Sequence, residues 1–90
     1  MDDQEMLDAL SALAHATRLR AYRLLVDAGN GGLPAGAVAA AAGVAPTSMS
    51  GHLAILARAG LVTAERRGRT ILYRARPDRV LALTTALAKR

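Results

Sequence analysis

Residues 45–62, APTSMSGHLAILARAGLV, open on small and hydroxyl side chains, continue as an apolar helical pattern and stop at Gly60 before Leu61 and Val62. The pattern predicts a helix over residues 46–60 with a glycine, Gly51, at its middle, where glycine costs roughly 1 kcal/mol relative to alanine. On a wheel of about 100° per residue, Met49, Leu53 and Leu56 fall on one face, flanked by His52 and Ala59. The opposite face receives Thr47, Ser48, Ser50, Gly51, Ala54 and Arg58. Solvated helix faces are usually rich in Glu and Lys, and this one has no acid and a single base. Small hydroxyl groups on an N-terminal half are what a helix laid in the major groove presents to phosphates and base edges. A glycine at the centre of that face admits close approach of the backbone. Drift at a tolerant surface position is the competing reading of Gly51, and it ranks second.

Directly after this helix, AERRGRTILYRARPDR (residues 64–79) reads as the end of one strand, a tight turn at Gly68 and a second strand. The β-branched and Arg-rich segments 62–67 and 70–76 predict a hairpin. Alternation puts Arg74 and Arg76 on the face opposite Ile71 and Tyr73, where an Arg-rich edge also discourages sheet aggregation. Arg67 and Arg69 fall at the tip and are the candidate phosphate or minor-groove contacts.

Upstream, Asp2 and Glu5 have the spacing of a capping box and open a helix with Met6, Leu10 and Leu13 on one stripe and Leu7 beside it. A second helix runs from His15 or Ala16 to Ala28, with Leu19, Tyr22, Leu25 and Val26 expected inward, and Gly29, Gly31 and Gly32 stop it. Pro34 is placed at the first turn of a short third helix closed by Gly43. Downstream, Pro77 and Asp78 start a last helix with Val80, Leu83 and Leu87 on one stripe and Lys89 and Arg90 at its C-terminal end.

The chain has 90 residues, 52% of them hydrophobic, enough for one modest core and one domain, 1–90. The expectations are no membrane and a cytoplasmic location, because no apolar run reaches spanning length and residues 1–15 carry four acids and no base. All twelve Lys and Arg follow, against only Asp27, Glu65 and Asp78. A basic body behind an acidic leader suits a polyanionic partner, although the same charge also occurs on plain solvated surfaces. With no Cys, disulfides, thiolate metal sites and Cys nucleophiles are excluded.

The order helix, helix, short helix, three-residue turn (Gly43, Val44, Ala45), helix, hairpin, helix is that of a winged helix-turn-helix, mainly α with a β-hairpin wing (α-α-α-α-β-β-α). A plain helical bundle with a stray hairpin ranks behind it, because the hairpin directly follows the helix with the small-residue face. Met6, Leu7, Leu10 and Leu13 with Val80, Leu83 and Leu87 exceed what so small a core covers, and are expected to meet their copies across a two-fold axis.

The sequence resembles the ArsR/SmtB winged-helix repressors of bacteria over nearly its whole length. LAHATRLRAYRLL (13–25) is similar to the family's second helix, SMSGHLAILARAGLV (48–62) to its recognition helix and RRGRTILYRA (66–75) to its wing. The resemblance implies a homodimer joined through first and last helices that binds an imperfect palindrome in double-stranded DNA and releases it on a chemical signal. It places DNA contacts at Pro46, Thr47, Ser50 and Gly51, with the wing adding Arg67 and Arg69. Pro46 and Gly51 depart from the polar or basic residues often found there.

The sensing half of the resemblance finds no counterpart. Where thiolate sensors carry Cys near the third helix, this chain reads Leu33-Pro34-Ala35-Gly36-Ala37-Val38. The close arsenic-responsive subset keeps its cysteines beyond the last helix, and this sequence stops at Arg90. The zinc-type site on the last helix needs Asp and His together, and that helix offers only Asp78. His15, at the start of the second helix, reads as a cap before it reads as a ligand. His52 reads first as a hydrogen-bonding group within the fold and second as a DNA contact. The expectation is therefore no metal and no cofactor.

The reading is a sequence-specific DNA-binding regulator, a homodimeric repressor. A winged-helix module that binds protein is the alternative, which exposed large apolar residues on the recognition face would favour; Ile55 alone is too little. An enzyme is not expected, since Ser48 and Ser50 lie near His52 without an orienting acid.

Overall fold

A computed structural model describes residues 1–89; Arg90 lies outside the described residues. Five helices and three strands follow in the order α1 (Asp3–Leu13), α2 (Ala16–Ala28), β1 (Leu33–Pro34), α3 (Ala35–Ala42), α4 (Pro46–Arg58), β2 (Val62–Arg67), β3 (Thr70–Ala75) and α5 (Pro77–Ala88). This is the winged helix-turn-helix order. The capping box forms as its spacing requires: the Glu5 N–H donates to Asp2 Oδ1 at 2.7 Å and the Asp2 N–H to Glu5 Oε1 at 3.1 Å. α2 starts on His15, whose Nδ1 accepts from the Thr17 N–H at 3.2 Å.

Between α3 and α4 the chain turns in three residues. Gly43 takes the left-handed conformation at φ +72°, and the Val44 N–H returns to the Ala39 carbonyl at 3.1 Å, so the last carbonyls of α3 are bonded before α4 begins. Pro46 then occupies the first turn of α4, where its missing N–H is no loss.

Four details depart from the sequence reading. The sheet has three strands, in the order β1-β3-β2, because Leu33 and Pro34 pair antiparallel with Tyr73 and Leu72. Two residues are too few to show a period of two, so no pattern announced them. Pro34 is the extended residue before α3 (φ −73°, ψ 158°) rather than its first residue, and an edge strand is where a residue lacking an N–H is tolerated. α4 stops at Arg58, short of Gly60. Leu19 and Val26 are exposed, at 36% and 42%, while Ala21 lies buried with Tyr22 and Leu25. The centre of the buried stripe is a small residue, which a wheel weighted toward large side chains assigns outward.

Leu25, Met49, Leu53, Leu56, Leu61 and Val38 are fully buried, and Ala9, Ala12, Ala21 and Ala39 fill the close helix contacts between them. The inward face of α4 is thus as expected, and it fixes which residues face out. Burial of each such Leu contributes about 2 kcal/mol. Among the described residues no helix is long and apolar enough to cross a membrane.

Candidate nucleic-acid interface

With Met49, Leu53 and Leu56 inside, Pro46, Thr47, Ser48, Ser50, Gly51, Ala54 and Arg58 are all exposed on α4. A Cβ built on Gly51 would meet nothing within 4 Å. Packing within the protein therefore gives no reason for this glycine. The first turn of α4 has no side-chain cap, so its free backbone N–H groups open at the acid-free N-terminal end of this face.

His52 lies at the edge of that face and is half-buried. Its ring stands 4.7 Å, centroid to centroid, from the ring of His15, and its Nδ1 is 3.5 Å from Arg18 Nη1. Arg18 also donates from Nε to the Ala12 carbonyl at 2.7 Å and from Nη2 to the Ser11 carbonyl at 3.3 Å. One guanidinium thus closes the end of α1 and braces α4 from α2. Burial first, then the charges of His15 and Arg18, push the His52 pKa below its ordinary 6.5. Sequence reasoning treated the two histidines as separate, because the contact spans 37 positions and needs the fold to exist.

β2 and β3 pair in register from Val62 opposite Ala75 to Arg67 opposite Thr70, leaving Gly68 and Arg69 as a two-residue turn. Gly68 has φ +62°, and no residue other than glycine has positive φ among the described residues. That is the hairpin turn with glycine at its first central position, whose twist matches that of the strands. Cross-strand partners share a face, so Glu65, Arg67, Leu72 and Arg74 lie on one side of the wing and Arg66, Ile71 and Tyr73 on the other.

The wing arginines are not equivalent. Arg74 donates to Glu65 Oε1 at 2.6 Å and to the Asn30 carbonyl at 2.7 Å, with its side chain 24% exposed. Gly32, at φ +67°, passes so close that a Cβ there would stand 2.9 Å from Arg74 Cγ and 2.6 Å from the Tyr73 carbonyl oxygen. Arg67 makes one bond, Nε to Glu65 Oε2 at 3.0 Å, and stays 60% exposed. The two guanidiniums hold the Glu65 carboxyl below its ordinary pKa, Arg74 first. Arg66 and Arg69 are exposed and form no ion pair among the described residues. The sequence reading placed Arg67 and Arg69 together at the tip; the structure separates them by what each is already bound to.

On the side of α1 and α5, Leu7, Leu10 and Leu87 are 59%, 41% and 54% exposed, and Leu81, absent from the sequence reading, is 67% exposed. Met6, Leu13 and Val80 are half-buried against the core. Leu83, assigned by its stripe to a dimer contact, is 3% exposed and belongs to the core of this protomer. On α5 Leu83 faces the core, while Leu87, four residues further along the same stripe, and Leu81, on the other side of the helix, face outward. Arg79 ties the two helices with a 3.0 Å ion pair to Glu5. Among the described residues no group of three or more His, Asp or Glu is placed to hold a metal ion.

Residues 13–65 match a family described as a helix-turn-helix domain. Among solved structures, the chain is similar to an ArsR-like transcriptional regulator from Rhodococcus sp. RHA1, at 27% identity over 94% of this chain and 77% of that one, with a TM-score of 0.82. It is also similar to the homodimeric winged helix-turn-helix DNA-binding domain of a possible ArsR-family transcriptional regulator from Mycobacterium bovis, at 31% identity over 98% of this chain and 87% of that one, TM-score 0.76. A third is the antimony-specific transcriptional repressor AntR, at 34% identity over 94% of this chain and 76% of that one, TM-score 0.74. No curated protein matches. The fold and the surfaces of α4 and the wing define a winged helix-turn-helix regulator, and the chain belongs to the ArsR family of transcriptional regulators.

Proposed function

We propose that residues 1–90 form one domain that acts in the cytoplasm as a homodimeric, sequence-specific repressor on double-stranded DNA. The observation that carries this reading is the outward face of α4. It has no acid, it is built of small side chains, and its central Gly51 has open space above it. In this reading Pro46, Thr47, Ser48, Ser50 and Gly51 enter the major groove, Arg58 and the edge of His52 flank them, and Arg67 and Arg69 on the wing reach phosphate. The exposed Leu7, Leu10, Leu81 and Leu87 meet their copies, so that two α4 helices address two half-sites of a palindrome. The homodimer described for the Mycobacterium bovis relative supports this assembly. A titration of the protein against the DNA upstream of its own gene, with unrelated duplex as competitor, tests it. Retention of the upstream duplex under excess competitor is expected, and equal loss to both duplexes contradicts sequence-specific binding.

The same reading separates this chain from relatives that sense through sulfur. Residues 1–90 contain no Cys, and the protein of these residues is proposed to hold its operator in micromolar arsenite, cadmium, zinc or nickel and in peroxide. Release of DNA at stoichiometric metal, reversed by a chelator, contradicts this and points to His15 with the N-terminal acids.

A further inference from the structure

Glu65 is the only acid in the wing strands, and it stands among the arginines proposed to bind DNA, so its placement bears on how that binding discriminates. Its two oxygens are divided. Oε1 takes Arg74, which is bonded a second time to the Asn30 carbonyl and lies in the cradle left by Gly32. Oε2 takes Arg67, which has no other partner among the described residues and is largely in solvent. Exposed single pairs of the second kind are weak and exchange readily, whereas a guanidinium with two partners and a packed stem stays where it is. The carboxylate is thus anchored on one side and holds an exchangeable arginine on the other.

We propose that Glu65 is a specificity-setting residue of the wing: it withholds Arg67 from the phosphates of random DNA and yields it only when α4 is seated in a matching major groove. The inference rests on the DNA-binding reading above. On random duplex the protein is held by the uncommitted Arg66 and Arg69, and exchanging Arg67 from Glu65 to a phosphate would leave the Glu65 carboxylate facing the DNA with Arg74 alone. A loosely docked wing gains too little from one more phosphate to offset that repulsion. A wing fixed by a fully seated α4 brings Arg67 to a defined phosphate, and the exchange goes forward. Arg74 keeps Glu65 in both states, and in this sense it is a positioning residue and not a phosphate contact.

Binding of a fluorescent duplex tests this, measured from 50 to 300 mM salt with both the upstream sequence and a scrambled one. The proteins are the wild type, Glu65→Gln, Arg67→Ala, the double variant and, as a control for net charge, Asp27→Asn on α2. In Glu65→Gln, random DNA is expected to bind roughly three- to tenfold more tightly at low salt, with the salt slope steeper by about 0.9 for each protomer bound. The upstream duplex gains less, so the preference for it falls. In the Arg67→Ala background the Glu65→Gln change of slope disappears, and Asp27→Asn leaves the slope as in the wild type. A Glu65→Gln variant that tightens both duplexes by one factor, or keeps its steeper slope without Arg67, overturns the role of Glu65 while leaving the DNA-binding reading intact. Wild-type protein that binds neither duplex overturns that reading itself. As a second readout, the Arg67 Nε–H resonance is expected to move with the upstream duplex and not with the scrambled one, while that of Arg74 moves with neither. A shift of Arg67 on scrambled DNA also overturns the proposal.

Discussion

The outward face of α4 and the wing stand next to each other and are built on opposite principles. α4 presents hydroxyls, a proline, a bare Gly51 and a single base, Arg58, with Met49, Leu53 and Leu56 turned inward. The wing presents arginines that differ in how they are held: among the described residues Arg74 bonds to Glu65 and to the Asn30 carbonyl, Arg67 to Glu65 alone, and Arg66 and Arg69 to no acid. A surface of small side chains with one base, Arg58 at its far end, gains little from the phosphate backbone and discriminates mainly by shape and base-edge contacts. A surface of arginines gains affinity wherever there is phosphate, whatever the sequence. The contrast therefore assigns discrimination to α4 and holding power to the wing, with Glu65 as the one group in the wing that limits the second.

The comparison presumes that two copies of α4 act together, so the largest effect is expected from separating them. Leu10→Glu places a charge on the exposed apolar face of α1 without disturbing the protomer core. It should give a monomer in sedimentation and weaken upstream DNA by at least about 100-fold through loss of the linked second site. A variant that remains dimeric moves the interface elsewhere. Next in size, Gly51→Leu should weaken upstream DNA by about 1–3 kcal/mol and leave scrambled DNA nearly unchanged. Gly51→Ala, meeting nothing within 4 Å, should raise folding stability by up to about 1 kcal/mol. A thermal melt showing no gain would mean that the glycine serves the helix itself.

Arg69→Ala should lower affinity for both duplexes together and reduce the salt slope by about 0.9 per protomer. The smallest effect concerns the seat of α4. Because the folded pKa of His52 lies below 6.5, the unfolded chain binds that proton more tightly. Its contribution to stability is full above about pH 6.5 and is lost as the pH falls below it. Glu5 and Glu65 are held below 4.5, so their losses come at still lower pH. Melting between pH 7.5 and 5 should therefore show a decline that His52→Gln flattens.

Much of this was legible in the sequence because it rests on local signals. The helix caps, the three-residue turn, the inward stripe Met49, Leu53, Leu56 and the hairpin around Gly68 each follow from spacing and turn chemistry over a few residues. The rest depends on contacts between distant segments. β1 exists only because Gly32 lets Leu33 and Pro34 reach β3. His15 meets His52 only after α2 and α4 pack, and Asn30 meets Arg74 across 44 positions. Leu83 and Leu87 show the same limit on one helix: the stripe was visible, and which of its members face the core was set by neighbours. Charge was legible as a total; which arginines are free to act was not.

The division of labour is tested most directly by a double-mutant cycle in which wild type, Gly51→Leu, Arg69→Ala and the double variant are each titrated with upstream and scrambled duplex at one salt concentration. The account predicts that Gly51→Leu closes the gap between the duplexes while leaving scrambled binding in place. Arg69→Ala lowers both and keeps the gap, and the double variant shows the two losses added within about 0.5 kcal/mol. A Gly51→Leu variant that weakens both duplexes alike, or an Arg69→Ala variant that abolishes the preference, contradicts it.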